Sequence, residues 1–147
     1  MKVIAGCVVL KDHKILMVKE AGPDCYGKWN FPGGKLEEFE KITDGALRET
    51  FEETGCKVNL KGVLAIAQVN LKKESHFLIR FVADVLEENI CFDKDEILDV
   101  QWIEIEDIKK MSEQELRGYE ITTKVIEEIE NDKYYPLDII DNMIYNP

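Results

Sequence analysis

Three glutamates near the middle of the chain are spaced in a way that can hold a metal ion. Glu49, Glu52 and Glu53 stand at positions i, i+3 and i+4, so on a helix their carboxylates project from one face. Like charges at this spacing repel each other by roughly a few tenths of a kcal/mol per pair. Mg²⁺ and Mn²⁺ prefer carboxylate oxygen and would reverse that cost. The spacing predicts a divalent-cation site, with an ordinary solvated acidic face as the alternative.

The residues around these glutamates predict a short helix that follows a glycine turn, within residues 34–56. Thr43 is expected to cap the helix, and Leu47 and Phe51 form an i, i+4 apolar pair that would anchor the opposite face. Gly55 can end the helix in the left-handed conformation.

Two further residues of this helix need an explanation. Arg48 precedes Glu52 by one turn and is predicted to orient a carboxylate through a charge-assisted bond, with a plain surface ion pair as the alternative. Gly45 lies inside the helix, where it costs roughly 1 kcal/mol relative to alanine. We expect Gly45 to allow close packing against a strand.

The polar residues of the segment resemble the Nudix box, a signature of hydrolases that cleave nucleoside diphosphates linked to another group. The match in type and spacing covers Gly34, Glu40, Arg48, Glu49, Glu52, Glu53 and Gly55. Thr50 and Cys56 depart from the pattern, because the family has aliphatic residues at both positions. Both are expected on the packing side of the helix, so the departure concerns the core more than the chemistry. The preceding Trp29-Asn30-Phe31-Pro32-Gly33-Gly34 is similar to the W-x-x-P-G-G segment of the family.

The resemblance implies an α/β (α+β) protein with the Nudix fold, a mixed β-sheet sandwiched between α-helices, in a single domain spanning residues 1–147. It implies a metal-dependent hydrolase in which water attacks phosphorus and cleaves a phosphoanhydride bond. The implied catalytic residues are Arg48, Glu49, Glu52 and Glu53. The implied metal ligands for Mg²⁺ or Mn²⁺ are the Gly34 carbonyl, Glu49, Glu52, Glu53 and Glu96. Glu53 is the leading direct ligand. Asp95 and Asp99 are alternatives to Glu96.

Four residues are candidates for binding the substrate. Trp29 and Phe77 could stack on a flat base, although core packing is an equal alternative for Trp29. Lys35 could meet a phosphate, or be a solvated surface lysine. Arg80 lies in a predicted strand and must find an anion if buried, either a substrate phosphate or an internal carboxylate such as Asp84.

The substrate is expected to be a nucleoside di- or triphosphate or a related pyrophosphate. Residues 77–81 and 135–140 are similar to the branch of the family that acts on nucleoside tri- and diphosphates and on hydroxymethylpyrimidine pyrophosphate. An ADP-ribose or dinucleoside polyphosphate pyrophosphatase is the alternative enzyme. A non-catalytic nucleotide-binding module is a third hypothesis, which predicts lost glutamates in the box, whereas all are present.

Composition limits the partners. The net charge of −11 and pI near 4.7 argue against binding to nucleic acid or anionic membranes. Four scattered cysteines without C-x-x-C spacing indicate reduced thiols in a cytoplasmic protein; two of them, Cys7 and Cys91, are expected in apolar strands. No stretch approaches the ~20 apolar residues of a membrane span. The protein is expected to be a monomer or homodimer.

Apolar patterning places the other elements. Strands are predicted at residues 3–10, 14–19, 58–70, 76–86 and 100–105, with a hairpin turn at residues 12–13 and a polar link at residues 72–75. A helical turn is expected at residues 106–111. A helix is predicted from Ser112, where Ser-Glu-Gln-Glu has the pattern of a capping box. The apolar tail around residues 133–140 is expected to dock on the core.

Overall fold

The fold is described from a computed structural model that covers residues 1–72, 74–141 and 143–145. One mixed sheet contains the strands of this part of the chain: β1 (Lys2–Lys11), β2 (Lys14–Glu20), β3 (Trp29–Asn30), β4 (Gly33–Lys35), β5 (Lys57–Leu71), β6 (Glu74–Glu87), β7 (Ile97–Glu104) and β8 (Tyr135–Pro136). The helices are α1 (Ile42–Thr54), α2 (Ile105–Ile108) and α3 (Tyr119–Glu130), and a 3₁₀ turn spans Leu137–Ile139.

The parallel pair β1–β6 forms the middle of the sheet, which runs in the order β3-β2-β1-β6-β5-β8. β4 also pairs with β1, and β7 pairs with β2. In β1, Gly6 lies between Gly33 of β4 and Arg80 of β6. This register brings the glycine turn before α1 beside the buried arginine of β6.

Each face of the sheet is covered by a separate apolar cluster. Alternation along β6 directs Ile79 and Phe81 to the face covered by α1, where Ala46 also packs. On the other face Val8 of β1 packs with Val125 and Ile126 of α3. The predicted sandwich of a mixed sheet between helices is therefore confirmed.

α1 differs from its prediction at its start and on its buried face. The helix begins at Ile42, and its N-cap residue Lys41 makes no side-chain capping bond; Thr43 lies inside the first turn, so the predicted cap is wrong. Phe51 is 48% exposed and does not anchor the helix. The fully buried side chains Ala46 and Thr50 do so instead, because small residues allow α1 to approach β1 closely.

The glycines of α1 have clear structural roles. Gly55 has φ +78°, and its amide donates to the Phe51 carbonyl, so the predicted left-handed end is confirmed. A Cβ added at Gly45 would meet the Leu36 side chain and, at 2.9 Å, Glu40 Oε2. Gly45 therefore packs against the segment before α1 and not against a strand as predicted.

The last helix begins later than the sequence suggests. Ser112 and Glu115 form part of the predicted capping box, since the Ser112 amide donates to Glu115 Oε2 at 2.7 Å. This bond closes only a single turn, because Gly118 adopts a left-handed conformation with φ +59° and α3 starts at Tyr119. The helix predicted from Ser112 is therefore wrong over its first seven residues.

Other expectations are largely met. The first four predicted strands form with extensions of one or two residues, whereas the strand predicted at residues 100–105 spans Ile97–Glu104, because Ile105 already begins α2. Residues 74–75 of the predicted polar link belong to β6. The tail docks as expected, with β8 paired to β5 and Leu137 packed against the α1 cluster. Cys91, predicted in a strand, is exposed in a loop. Lys73 of the predicted polar link lies outside the described residues. No helix in the described part of the chain is long and apolar enough to cross a membrane.

Candidate active site

Arg48 gathers the acidic side chains of the α1 region. Its Nε donates to Glu40 Oε1 at 2.6 Å, and its Nη1 donates to Glu49 Oε1 at 2.8 Å and to Glu52 Oε2 at 3.1 Å. Hydrogen bonding to Glu40 is the main reason that the pKa of Arg48 is raised, and the same bond lowers the pKa of Glu40. Arg48 therefore fixes the positions of carboxylates from both the preceding turn and the helix.

Glu49 lies directly against the glycine turn. A Cβ added at Gly34 would stand 2.7 Å from Glu49 Oε1, so the absence of a side chain at Gly34 leaves room for the carboxylate. Burial raises the pKa of Glu49, and the hydrogen bond from Arg48 opposes that increase. Gly34 and Glu49, both predicted as metal ligands, are thus adjacent.

Glu53 has the most strongly perturbed carboxyl group of the site. Burial is the main cause that raises its pKa to about 8, and the negative charges of Glu20 and Glu49 raise it further. A hydrogen bond with the Gly33 backbone and the positive charge of Arg80 oppose the increase. A cation bound here would favour the ionised carboxylate that burial and repulsion disfavour.

Glu20, at the end of β2, is an acid that the sequence analysis missed. Its Oε1 accepts hydrogen bonds from Asn30 Nδ2 at 3.0 Å and from Arg117 Nη1 at 2.9 Å. Arg117 is one of only three arginines in the chain, and the scarcity that singled out Arg80 could also have indicated Arg117. Nothing in the local sequence of Glu20 predicts its proximity to Glu53.

Arg80 is buried beside the acids, with only 7% of its surface exposed. Its Nη1 donates to the Pro32 carbonyl at 3.2 Å. Burial lowers the pKa of Arg80 to about 10, and Glu53 is the largest influence in the opposite direction. Asp84, predicted as a possible internal partner, instead pairs with Lys61 at 3.6 Å. The acid with the largest effect on the pKa of Arg80 is Glu53.

A cleft of about 1010 Å³ extends from this cluster over the sheet face opposite α1. The predicted substrate-binding residues Arg80 and Lys35 line it, together with the turn glycines Gly33 and Gly34. α3 closes one side of the cleft through residues such as Thr122. The acidic cluster and the cleft therefore meet at the glycine turn.

Two predicted substrate-binding aromatic residues lie apart from this cleft. Trp29 packs against the apolar cluster under α3, in agreement with the core alternative. Phe77 is 37% exposed and points to the opposite face of β6 from Arg80, because the two residues are an odd number of positions apart. The structure does not bring either ring to the cleft lining.

The loop before β7 runs beside the Glu20 end of β2, because Ile97 of β7 pairs with Glu20. Glu96 is exposed, and its carbonyl accepts from the Ala21 amide at 3.1 Å. Asp99, a rival candidate, accepts from Gln101 Nε2 at 2.7 Å. The acid from outside α1 that acts on Glu53 is Glu20. A role for Glu96 as a further ligand remains a prediction.

The chemistry of the acids fits a hard divalent cation. Glu20, Glu49 and Glu53 come from two elements and lie close enough to raise the pKa of Glu53, and carboxylate oxygen is the ligand type that such cations prefer. Within residues 1–72, 74–141 and 143–145, no group of three or more His, Cys, Asp or Glu side chains has the spacing of a metal site. In the structure, the carboxylates of Glu49 and Glu52 accept hydrogen bonds from Arg48.

Comparison with known proteins gives the same family as the box. The sequence profile of the NUDIX domain matches residues 1–125. The chain is 32% identical over 143 residues to Phosphatase NudJ of Shigella boydii, covering 94% of this chain and 89% of that protein. It is 27% identical over 146 residues to Putative nudix hydrolase 1 of Caenorhabditis elegans, covering 96% of this chain but only 39% of that protein's length.

A solved structure extends the likeness to the fold. A NUDIX hydrolase from Nitrosomonas europaea superimposes with a TM-score of 0.86 at 25% identity, and the match covers 97% of both chains. Proteins with this domain generally use divalent metal cations. The profile match spans most of the sequence and includes the complete glutamate helix. This chain belongs to the Nudix hydrolase family.

Proposed function

We propose that the protein is a hydrolase that uses Mg²⁺ or Mn²⁺ to cleave a phosphoanhydride bond of a nucleoside di- or triphosphate or a related pyrophosphate. The observation that carries this proposal is the position of Glu53, a buried carboxyl with a pKa raised to about 8, at the turn where the acidic cluster meets a large cleft. A buried acid with a strongly perturbed pKa beside a cleft is characteristic of a functional site.

The residues of the chain divide the work at the site. Glu49 and Glu53 would hold the cation together with the Gly34 carbonyl, and Glu20 is close enough to contribute. Divalent cations, when bound, offset the charge of the phosphates and acidify water. Glu52 is 55% exposed on its side chain and can accept a proton from water at the rim of the site, so it is our candidate for the general base.

Arg80 and Lys35 would position the phosphates. Arg80 is buried and fixed by the Pro32 carbonyl, so its guanidinium is already oriented before substrate arrives. Lys35 is exposed on the cleft wall and can reach a more distal phosphate. Arg48 acts through the glutamates, because its donors are engaged by Glu40, Glu49 and Glu52.

The experiment is a hydrolysis panel with identified products. Purified protein is incubated with Mg²⁺, Mn²⁺ or EDTA and with dCTP, GTP, ADP-ribose, a diadenosine polyphosphate and hydroxymethylpyrimidine pyrophosphate. We expect cation-dependent release of phosphate, pyrophosphate or a nucleoside monophosphate from at least one compound. The name of the NudJ relative, a phosphatase, leads us to expect phosphate or pyrophosphate release.

The matched variants are Glu53→Gln and Glu127→Gln. Both replace a glutamate of a helix by its neutral isostere, but Glu127 is exposed on α3, which packs on the sheet face opposite α1. Glu53→Gln should lower turnover by about 1000-fold or more, and Glu127→Gln should leave it unchanged. Equal rates in wild type and a folded Glu53→Gln protein would overturn the proposed site.

A further inference from the structure

The cleft extends well beyond the phosphate-binding residues along the face of β6. Register places Arg80 beside Gly6, then Leu78 beside Ile4, then His76 beside Lys2. Strand geometry puts His76 about 13 Å from Arg80, four residues along β6. Both His76 and Arg80 line the cleft. This distance is comparable to the length of a nucleoside attached to a phosphate.

His76 has a buried polar atom without a partner at the far end of this cleft. The residue is 4% exposed, and its Nδ1 is the buried side-chain N or O atom that lacks a hydrogen bond within the described ranges. An unsatisfied buried polar group costs about 1–3 kcal/mol. Such a group in a folded protein requires an explanation.

The other ring nitrogen indicates which hydrogen-bonding role Nδ1 can take. His76 Nε2 lies 3.7 Å from Glu74 Oε2, too far for a direct hydrogen bond but close enough for the carboxylate to favour a proton on Nε2. In the neutral imidazole with its proton on Nε2, Nδ1 is an acceptor. Nδ1 exposes less than 1 Å² in the structure, so an N–H or O–H group of a ligand in the cleft would reach this acceptor with a turn of the imidazole ring toward the cleft.

The walls around His76 suit a flat ring. Between His76 and Arg80 the cleft is lined by the side chains of Ile4 and Leu78, and Val69 of β5 pairs with His76 from the other side. Apolar surface of this kind favours the face of a heterocycle, whereas a polar group such as Nδ1 would fix its orientation. Asn70 and Glu74 also line this end of the cleft. Lys35 stands beside Ile4, between this apolar surface and the glycine turn.

We propose that His76 is a specificity-determining residue whose Nδ1 accepts a hydrogen bond from the heterocyclic base of a nucleotide substrate. The base lies on Ile4 and Leu78 while the phosphates reach the acidic cluster. This inference rests on the proposed function, because it assumes that the phosphates occupy the Arg80 end of the cleft. It names the part of the substrate that the glutamates do not recognise.

Binding is tested first, without catalysis. The probes are the α,β-methylene diphosphates of adenosine, guanosine, cytidine and uridine, with methylenediphosphonate as the probe that lacks a nucleoside. Because the chain contains two histidines, imidazole ¹⁵N spectra of the full chain resolve His76 with the aid of a His13→Asn sample. We expect at least one nucleotide probe to shift the Nδ1 resonance of His76 and methylenediphosphonate to leave it in place. If all four nucleotide probes leave Nδ1 unmoved, the inference is wrong.

Affinity and kinetics then test specificity. His76→Phe removes the acceptor and keeps a flat ring, whereas His76→Gln keeps an acceptor oxygen. For the nucleotide probe that shifts Nδ1, we expect His76→Phe to weaken binding about tenfold or more, His76→Gln to restore part of the loss, and binding of methylenediphosphonate to be unchanged. In substrate turnover, His76→Phe should raise KM by a similar factor and change kcat less.

The controls separate this inference from the proposed function. His13→Asn alters the exposed histidine of the β1–β2 turn and should bind every probe as wild type does. If wild type hydrolyses a substrate and His76→Phe binds and hydrolyses it equally well, the role of His76 is rejected and the proposed enzymatic function stands. If His76→Phe loses nucleotide binding but wild type hydrolyses none of the compounds, base recognition by His76 stands and the proposed enzymatic function is rejected. An equal loss for methylenediphosphonate in a folded His76→Phe protein would reject base recognition.

Discussion

Arg48 Nε lies 2.6 Å from Glu40 Oε1, across the turn that connects β4 to α1. The same guanidinium reaches Glu49 and Glu52 on the helix itself. One side chain thus connects the start of the Nudix box to the glutamates of its helix. Because a planar guanidinium presents donors in several fixed directions, a lysine ammonium cannot reproduce this set of contacts.

We predict that Arg48→Lys weakens cation use while retaining the fold. The carboxylates of Glu40 and Glu49 would lose their shared orienting group, so the cation concentration that gives half-maximal hydrolysis should rise by about 10–100-fold. The measurement is the rate as a function of Mg²⁺ concentration. Lys57→Gln, which breaks the exposed Lys57–Glu87 pair, is the control and should leave the cation dependence unchanged. An unaltered cation curve for Arg48→Lys would show that Arg48 makes only a surface ion pair.

Gly34→Ala should disable the site by displacing Glu49. The added methyl group would stand 2.7 Å from Glu49 Oε1, a separation that forces the carboxylate to move. We expect hydrolysis to fall by about 10–100-fold with little change in far-UV circular dichroism. Gly27→Ala places a methyl group where no heavy atom lies within 4 Å and should keep the wild-type rate. Full activity in Gly34→Ala would mean that Glu49 can leave this position without consequence.

The raised pKa of Glu53 predicts how the stability of the protein depends on pH when cations are removed. The pKa of this carboxyl rises from 4.5 in an unperturbed group to about 8 in the fold, so the folded protein retains a proton that the unfolded chain releases. Its contribution to stability is complete below about pH 4.5 and is lost as pH rises through 8. In EDTA, the melting temperature of wild type should therefore fall between pH 5 and 8 more steeply than that of Glu53→Gln.

The control for this prediction is again Glu127→Gln, whose pH dependence should match that of wild type. Addition of Mg²⁺ at pH 8 should raise the melting temperature of wild type, because a bound cation favours the ionised form of Glu53. Glu53→Gln should show a smaller increase. Parallel pH curves for wild type and Glu53→Gln in EDTA would contradict the raised pKa.

The sequence predicts the parts of the site that depend on local spacing. Glu49, Glu52 and Glu53 share a helix face because three and four residues make about one turn, and Gly55 ends the helix because of its own backbone freedom. Glu20 reaches the same site only because the loop after β2 returns through β3 and β4 to α1. Such proximity depends on tertiary register, which no short pattern encodes.

The same distinction explains the incorrect predictions. Ser112 and Glu115 have the local pattern of a helix start and do form a turn, but the left-handed Gly118 stops it before α3. The apolar character of Phe51 predicts that it packs, whereas the close approach of α1 to β1 selects Ala46 and Thr50 for the interface. His76 could be placed in a strand by alternation, but its unpaired Nδ1 emerges only from the positions of its neighbours.

Gly55 and Gly27 offer a matched test of what ends α1. Both have φ +78°, but a Cβ at Gly55 would meet the Asn89 carbonyl oxygen, whereas the space around Gly27 is open. Gly27→Ala should therefore cost only the strain of the left-handed conformation, roughly 1 kcal/mol. Gly55→Ala adds a backbone clash to the same strain and should cost about 2–4 kcal/mol in all.

The measurement is the free energy of unfolding from urea denaturation, at matched pH and in EDTA so that cation binding does not contribute. A shift of the loop that carries Asn89 would relieve the clash in Gly55→Ala, and the two alanine variants would then lose equal stability. A clearly larger loss at Gly55 would instead show that the end of α1 is held against this loop. Because the acids of α1 occupy the turns just before Gly55, the latter outcome would also predict weaker cation binding in Gly55→Ala than in Gly27→Ala.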